Sequence, residues 1–119
     1  MRAPRPAFVD VTIHEDATTV TLAWQGVPYV GSAGGTTQRS VGEATLDAVD
    51  QLTDGKVVAK LVAVAATDLG ESTVAMAQAE LVGEELRLVG SALIKEGSLE
   101  TATVRAVLDA VNRTMSLHL

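Results

Sequence analysis

The sequence predicts an α+β domain made of two β-β-β-α units in tandem, related by a pseudo-two-fold axis. Three observations carry this. Strand-like runs come in threes, each trio followed by a stretch with apolar residues at helical spacing. Val30-Gly31-Ser32-Ala33, at the end of the first trio, matches Val89-Gly90-Ser91-Ala92 at the end of the second. Leu46-Asp47-Ala48-Val49 in the first helical stretch matches Leu108-Asp109-Ala110-Val111 in the second, and the difference in spacing falls in the loop between. Either match alone is within reach of coincidence; two in register point to duplication. Residues 1–7 then read as an N-terminal arm or linker remnant, and 8–119 as one domain, with repeat one at 8–55 and repeat two at 56–115.

Each element has its own warrant. Arg2, Pro4, Arg5 and Pro6 make the arm extended. Phe8–His14 is β-rich and closes at Glu15-Asp16-Ala17. In Thr18–Trp24, Val20, Leu22 and Trp24 share one face, and Thr19, Thr21 and Ala23 the other. Gln25-Gly26 turns the chain into a third strand, Pro28–Ala33, whose proline fits only a strand start or edge. Beyond Gly31, Gly34 and Gly35 a helix is expected, with Ser40 as N-cap and Glu43 completing a capping box. Val41, Ala44, Ala48, Val49 and Leu52 recur at its spacing, and Asp54-Gly55 ends it. Val57–Ala66, apolar except for Lys60, reads as a strand buried on both faces. Asp68–Ser72 turns, Thr73–Val82 and Glu85–Ile94 form a hairpin about Gly83-Glu84, and Gly97-Ser98 opens a last helix over Leu99–Met115, capped by Ser98.

Composition narrows the function. Hydrophobic residues make up 47% of the 119, enough for a core, but aromatics only 3%, so that core is built from Val, Leu and Ala and favours close backbone approach. A net charge of −6, with nine scattered Lys and Arg, argues against nucleic acid. No apolar run reaches spanning length, and the start lacks the apolar segment of a signal peptide. The lack of cysteine fits the cytoplasm.

Catalytic and cofactor readings are weak. His14, Glu15 and Asp16 stand side by side, but consecutive strand residues point to opposite faces and converge poorly on one metal ion. The Gly31–Gly35 loop has free N–H groups ahead of a helix, yet neither a Walker lysine nor the dinucleotide fingerprint. Serine and threonine lack a neighbouring base. Glu84-Glu85 and Asp47/Asp50 read as solvated surface. The expectation is a non-enzymatic chain without cofactor or metal.

The last helix carries an interface signal. Val104, Val107, Leu108, Val111 and Met115 form one stripe, expected on a sheet, and Arg105, Asp109, Asn112 and Ser116 the polar side. Ala106 and Ala110 add a small-residue strip. It suits close approach of another helix, either the first-repeat helix through Ala44 and Ala48 or one from a partner chain, and points to a homodimer.

From Val9 to Arg113 the pattern resembles the C-terminal regulatory (leucine-binding, dimerisation) domain of 2-isopropylmalate synthase and citramalate synthase. The resemblance is strongest at LVGSALIKEGSLETATVRAVLDAVNR (Leu88–Arg113), with YVGSAGGTTQRSVGEATLDAVDQL (Tyr29–Leu52) as its first-half counterpart. It implies a dimer with an allosteric site for a small amino-acid-like effector where glycine-rich loops meet the interface. Gly31, Ala33 and Gly35 would line one loop, and Gly90 and Ala92 the other. The synthase's catalytic barrel and its His-x-His metal motif have no counterpart here. Two functions follow: a homodimeric regulatory module that binds a small molecule, or a structural, scaffolding domain that only joins proteins. A cavity between the glycine loops would favour the first; loops packed shut would favour the second.

Overall fold

The computed structural model describes residues 5–94 and 98–119. Part of the N-terminal arm, and Gly97 at the expected start of the last helix, lie outside the described residues. The elements run β1 (Ala7–His14), β2 (Ala17–Trp24), β3 (Val27–Gly34), α1 (Gln38–Leu52), β4 (Ala59–Leu69), β5 (Ser72–Leu81), β6 (Leu86–Leu93) and α2 (Leu99–Ser116). The expected order is therefore present: two three-stranded antiparallel sheets, β1-β2-β3 and β4-β5-β6, each followed by a helix.

Local chemistry explains the hairpins. Gln25 and Gly26 both have positive φ (52° and 79°), so Trp24 and Val27 are joined by a two-residue turn of the kind that matches strand twist. Pro28 sits on β3, an edge strand, where its missing N–H costs nothing in the ladder with β2. Each first strand carries an irregularity in register at the same place, between Phe8 and Asp10 in β1 and between Leu61 and Ala63 in β4.

Each helix touches both sheets. α1 packs on β2 and β3 of its own sheet and on β4 of the other; α2 packs on β5 and β6 and, more lightly, on β1. The helices also pack against each other, so the helix pair forms a layer with a sheet on either side. The core is where these layers meet: Val20 and Leu22 from one sheet, Ala75, Ala77, Ala79 and Leu81 from the other, and Val41, Ala44, Val49, Val104, Val107, Val111 and Met115 from the helices. The apolar stripe expected on α2 is buried throughout.

Two expectations need correction. The N-cap of α1 is Thr37, not Ser40. Thr37 has extended backbone (φ −89°, ψ 172°) and accepts from the Ser40 N–H, while the Ser40 hydroxyl answers the Thr37 N–H at 3.3 Å. The box is thus Thr37/Ser40, three residues earlier than expected, and Glu43 instead faces Arg39 at 3.6 Å. A hydroxyl at either position could supply the cap; the Gly35 backbone, at φ 91°, delivers the chain to Thr37. The second concerns the apolar run Val57–Ala66. It is not a strand buried on both faces: β4 is an edge strand covered only on its helix side, with Ala63 and Ala65 exposed. Hydrophobicity alone could not tell a doubly covered strand from an uncovered apolar face.

Candidate functional site

The two matched tetrapeptides turn out to be one contact, made twice. Val20 pairs with Gly31 across β2–β3, and Ala77 with Gly90 across β5–β6. On the inner face of each glycine lies the following helix. A Cβ on Gly31 would collide with the Ala44 carbonyl oxygen and the Ala48 nitrogen, and one on Gly90 with the Ala106 carbonyl oxygen and the Ala110 nitrogen. One residue on, the Ser32 N–H donates to the Asp47 carboxylate at 2.9 Å, and the Ser91 N–H to that of Asp109 at 3.0 Å. Gly-Ser on the strand and Asp-Ala on the helix recur because they touch. The aspartates, expected to be plain solvated surface, satisfy a strand N–H and seal part of an open sheet edge.

This geometry relocates the expected site residues. Gly31 and Gly90 are buried mid-strand and covered by helix backbone, so no ligand can occupy the space on their helix side. Gly35 has its own neighbour, the Ser40 hydroxyl, and the Gly35 carbonyl accepts from the buried Thr18 hydroxyl at 2.8 Å. Ala33 and Ala92 are half-buried against the core. Gly31 and Gly90 are closed by helix backbone, whereas Ala92 lines the groove beside α2. The backbone of the Ala106 and Ala110 strip lies against Gly90 of its own repeat. The backbone of Ala44 and Ala48 lies against Gly31 in the same way, and the missing Cβ of glycine lets strand and helix come this close.

Three other surfaces remain. The outer faces of the two sheets differ sharply in chemistry. On the first sheet the outward row holds Asp10, Thr12, Thr19, Thr21 and Ser32, with Val30 (50% exposed) at the place of Val89. At the corresponding places of the second stand Ala63, Ala65, Met76, Gln78 and Ser91, with Val89 and Leu93 beside them. Met76 (38%), Val89 (63%) and Leu93 (49%) are exposed. A shallow apolar depression of about 310 Å³ lies among Ala63, Ala65, Met76, Gln78 and Val89.

Next, a groove runs between each helix and the first strand of the other repeat. Beside α2 it holds Arg5, Arg105, Asp109 and Asn112, with a volume of about 360 Å³. Its counterpart beside α1 holds Glu43, Asp47, Asp50 and Lys60, with about 240 Å³. The grooves occupy matching places with opposite charge, and the buried Oδ1 of Asn112 has no hydrogen-bond partner. Last, a cleft of about 350 Å³ opens between β1 and the first turn of α2. Sequence reasoning missed all three. The outer-face contrast could have been found by comparing the solvent-facing positions of the repeats, Thr19 with Met76 above all.

His14 faces Glu15 at 3.7 Å with both side chains exposed, which describes a surface contact. Among the described residues no helix is long and apolar enough to cross a membrane. No protein-family model matches the chain, and no curated protein matches it.

Proposed function

We propose that the chain is a non-enzymatic docking module that pairs with a second copy of itself through the outer face of the β4-β5-β6 sheet. The observation that carries this reading is the apolar character of that face beside the polar face of the other sheet. The face spans on the order of 400 Å², part of it apolar, over strands of 11, 10 and 8 residues. The largest exposed apolar patch of a small protein is often functional. Charge supports a like partner. The chain carries −6 overall, yet the charged residues on the outward face of this sheet are Lys60, Glu80 and Arg87, gathered at one end, with Glu80 and Arg87 at 3.4 Å. Two copies repel elsewhere and can meet at this face, which carries no excess of negative charge. An interface this small belongs to the weak class, so the dimer should dissociate on dilution through the micromolar range.

Sedimentation velocity across a dilution series tests the proposal. The wild type should shift from dimer to monomer, and Met76→Glu or Val89→Glu should be monomeric at every concentration while keeping the wild-type circular dichroism. A monomeric wild type at high concentration would overturn it. The scaffolding alternative drawn from the sequence is thus the better supported one, because helix backbone covers Gly31 and Gly90. A pseudo-two-fold relation between the repeats is part of the same proposal, supported by the duplicated Gly–Ala and Ser–Asp contacts.

A second reading, a regulatory module with a small amino-acid-like effector, draws on the resemblance to the synthase regulatory domain and on the Arg5/Arg105 groove. That groove offers two guanidinium groups to a carboxylate and an unpartnered Asn112 Oδ1 to a donor. A thermal-shift screen with amino acids and acyl metabolites tests it, since binding to the native state raises the melting temperature; a hit abolished by Arg105→Gln would support it.

A further inference from the structure

Groups that a mild oxidant can reach are few in this chain and unequally placed. The sequence holds no cysteine and three methionines. Met1 lies outside the described residues, and Met115 is fully buried in the core. Met76 is 38% exposed and sits midway along β5, the central strand of the second sheet. Its cross-strand neighbours, Ala65 and Ser91, are exposed and too small to cover it. With Ala63, Ala65, Gln78 and Val89 it lines the apolar depression of this face.

A thioether and its sulfoxide suit opposite surroundings. The thioether is apolar, flexible and polarizable, so it fills an irregular dry contact well. Oxidation adds a strong acceptor to the same side chain and makes it polar. Burying that oxygen without a donor is costly, and Ala63, Ala65 and Val89 of a facing copy have no side-chain donor. Repeat one carries a polar residue at this place from the outset. Thr19 pairs across its sheet with Thr12 and Ser32, as Met76 pairs with Ala65 and Ser91. A sulfoxide at Met76 thus turns the docking face towards the chemistry of the other sheet.

We infer that Met76 is an oxidation site, and that its sulfoxide separates the two copies. The role rests on docking through the outer face of the second sheet and regulates that same contact. A lone pair of the sulfur attacks the terminal oxygen of a hydroperoxide. The S–O bond forms as the O–O bond breaks, and the proton on the transferred oxygen passes to the leaving oxygen. The thioether is oxidised by two electrons, and the hydroperoxide is reduced to an alcohol or water. A methionine sulfoxide reductase, drawing two electrons from thiols, returns the thioether and releases the oxygen as water. Docking covers the sulfur, so the monomer is the form that is oxidised.

Hydrogen peroxide treatment of the whole chain, read by peptide mass mapping and sedimentation velocity, tests the inference. An oxygen atom should be added at Met76 and none at Met115, with the circular dichroism unchanged. The dimer dissociation constant should rise at least about tenfold, and a methionine sulfoxide reductase should restore it. Met76→Leu should associate as the wild type does and ignore peroxide. Met76→Gln, with a polar end on a chain of similar length, should resemble the oxidised protein. Oxidation of Met76 should also slow as protein concentration rises through the dimer range. A wild type that is monomeric at every concentration overturns docking and the oxidation role together. A wild type that associates as tightly with Met76 oxidised as reduced overturns the oxidation role alone and leaves docking standing. So does a Met76→Leu protein that peroxide still separates.

Discussion

A side chain at Gly31 or Gly90 would have to occupy the same volume as helix backbone, which cannot yield as a flexible side chain can. Gly90→Ala should therefore cost at least about 1–3 kcal/mol, the usual range for overpacking, and Gly31→Ala as much. Gly34 is the control: a Cβ there meets nothing within 4 Å and its φ is not positive, so Gly34→Ala should be neutral or stabilise by up to about 1 kcal/mol. Urea midpoints for the three variants decide it, and three equal values would show that the strand–helix contact is looser than drawn. Ala106→Leu follows the same logic from the helix side. Its loss of midpoint should not change with protein concentration, because the residue it crowds is in the same repeat. At this scale the repeat was legible in the sequence, since Gly, Ser, Asp and Ala are the residues a close strand–helix contact needs. Their partners were not legible: an alanine strip suits a helix, another chain or a glycine strand equally well.

Helix α1 owes its start to Thr37 and its attachment to Arg39. Thr37→Ala removes the cap hydroxyl and should cost about 1 kcal/mol. Glu43→Ala touches only an exposed pair with Arg39 and should cost a few tenths. Chemical denaturation separates the two; a larger effect at Glu43 would return the cap to Ser40. Arg39→Ala should cost about 1 kcal/mol or more, through two carbonyls on β4 left without their charged donor. Hydrogen exchange should quicken first along β4, the strand that Arg39 ties down. Element types and order followed from period-two and helical patterning, while the cap shifted by one turn because Thr37 and Ser40 are both good capping residues. The apolar run before β5 was read as doubly buried, and its outer side proved open. Strand hydrophobicity records how apolar a face is, not whether this chain covers it.

For the whole molecule, the difference between the two outer sheet faces matters most. Repeat one supplies a polar template for repeat two: Ala65 and Met76 stand where Thr12 and Thr19 do. The double variant Ala65→Thr, Met76→Thr should keep the fold, with a stability change within about 1 kcal/mol in either direction, because both positions are on the outer face and threonine suits a strand. It should also abolish concentration-dependent association in sedimentation. Association that persists in this variant would move the interface elsewhere, to the oppositely charged grooves first. Helices enclosed between two sheets account for the near-absence of aromatics, since the layers meet through Val, Ala and Leu at short range.

By itself the sequence determined the α+β class, the two-unit order, the hairpin at Gln25-Gly26, the cap of α2 and the duplicated motifs, while the expected tight turn at Gly83-Glu84 is a four-residue loop between Leu81 and Leu86. All of these depend on neighbours within about a turn or a strand pair, where periodicity and turn chemistry act directly. Only the tertiary structure decided which faces are covered. It set the helices between the sheets, closed Gly31 and Gly90 against Ala44, Ala48, Ala106 and Ala110, and left the apolar face of the second sheet open. The physical reason is that burial is a property of what comes to lie opposite a residue. Distant segments of chain supply that opposite surface, and no local pattern records which of them arrives.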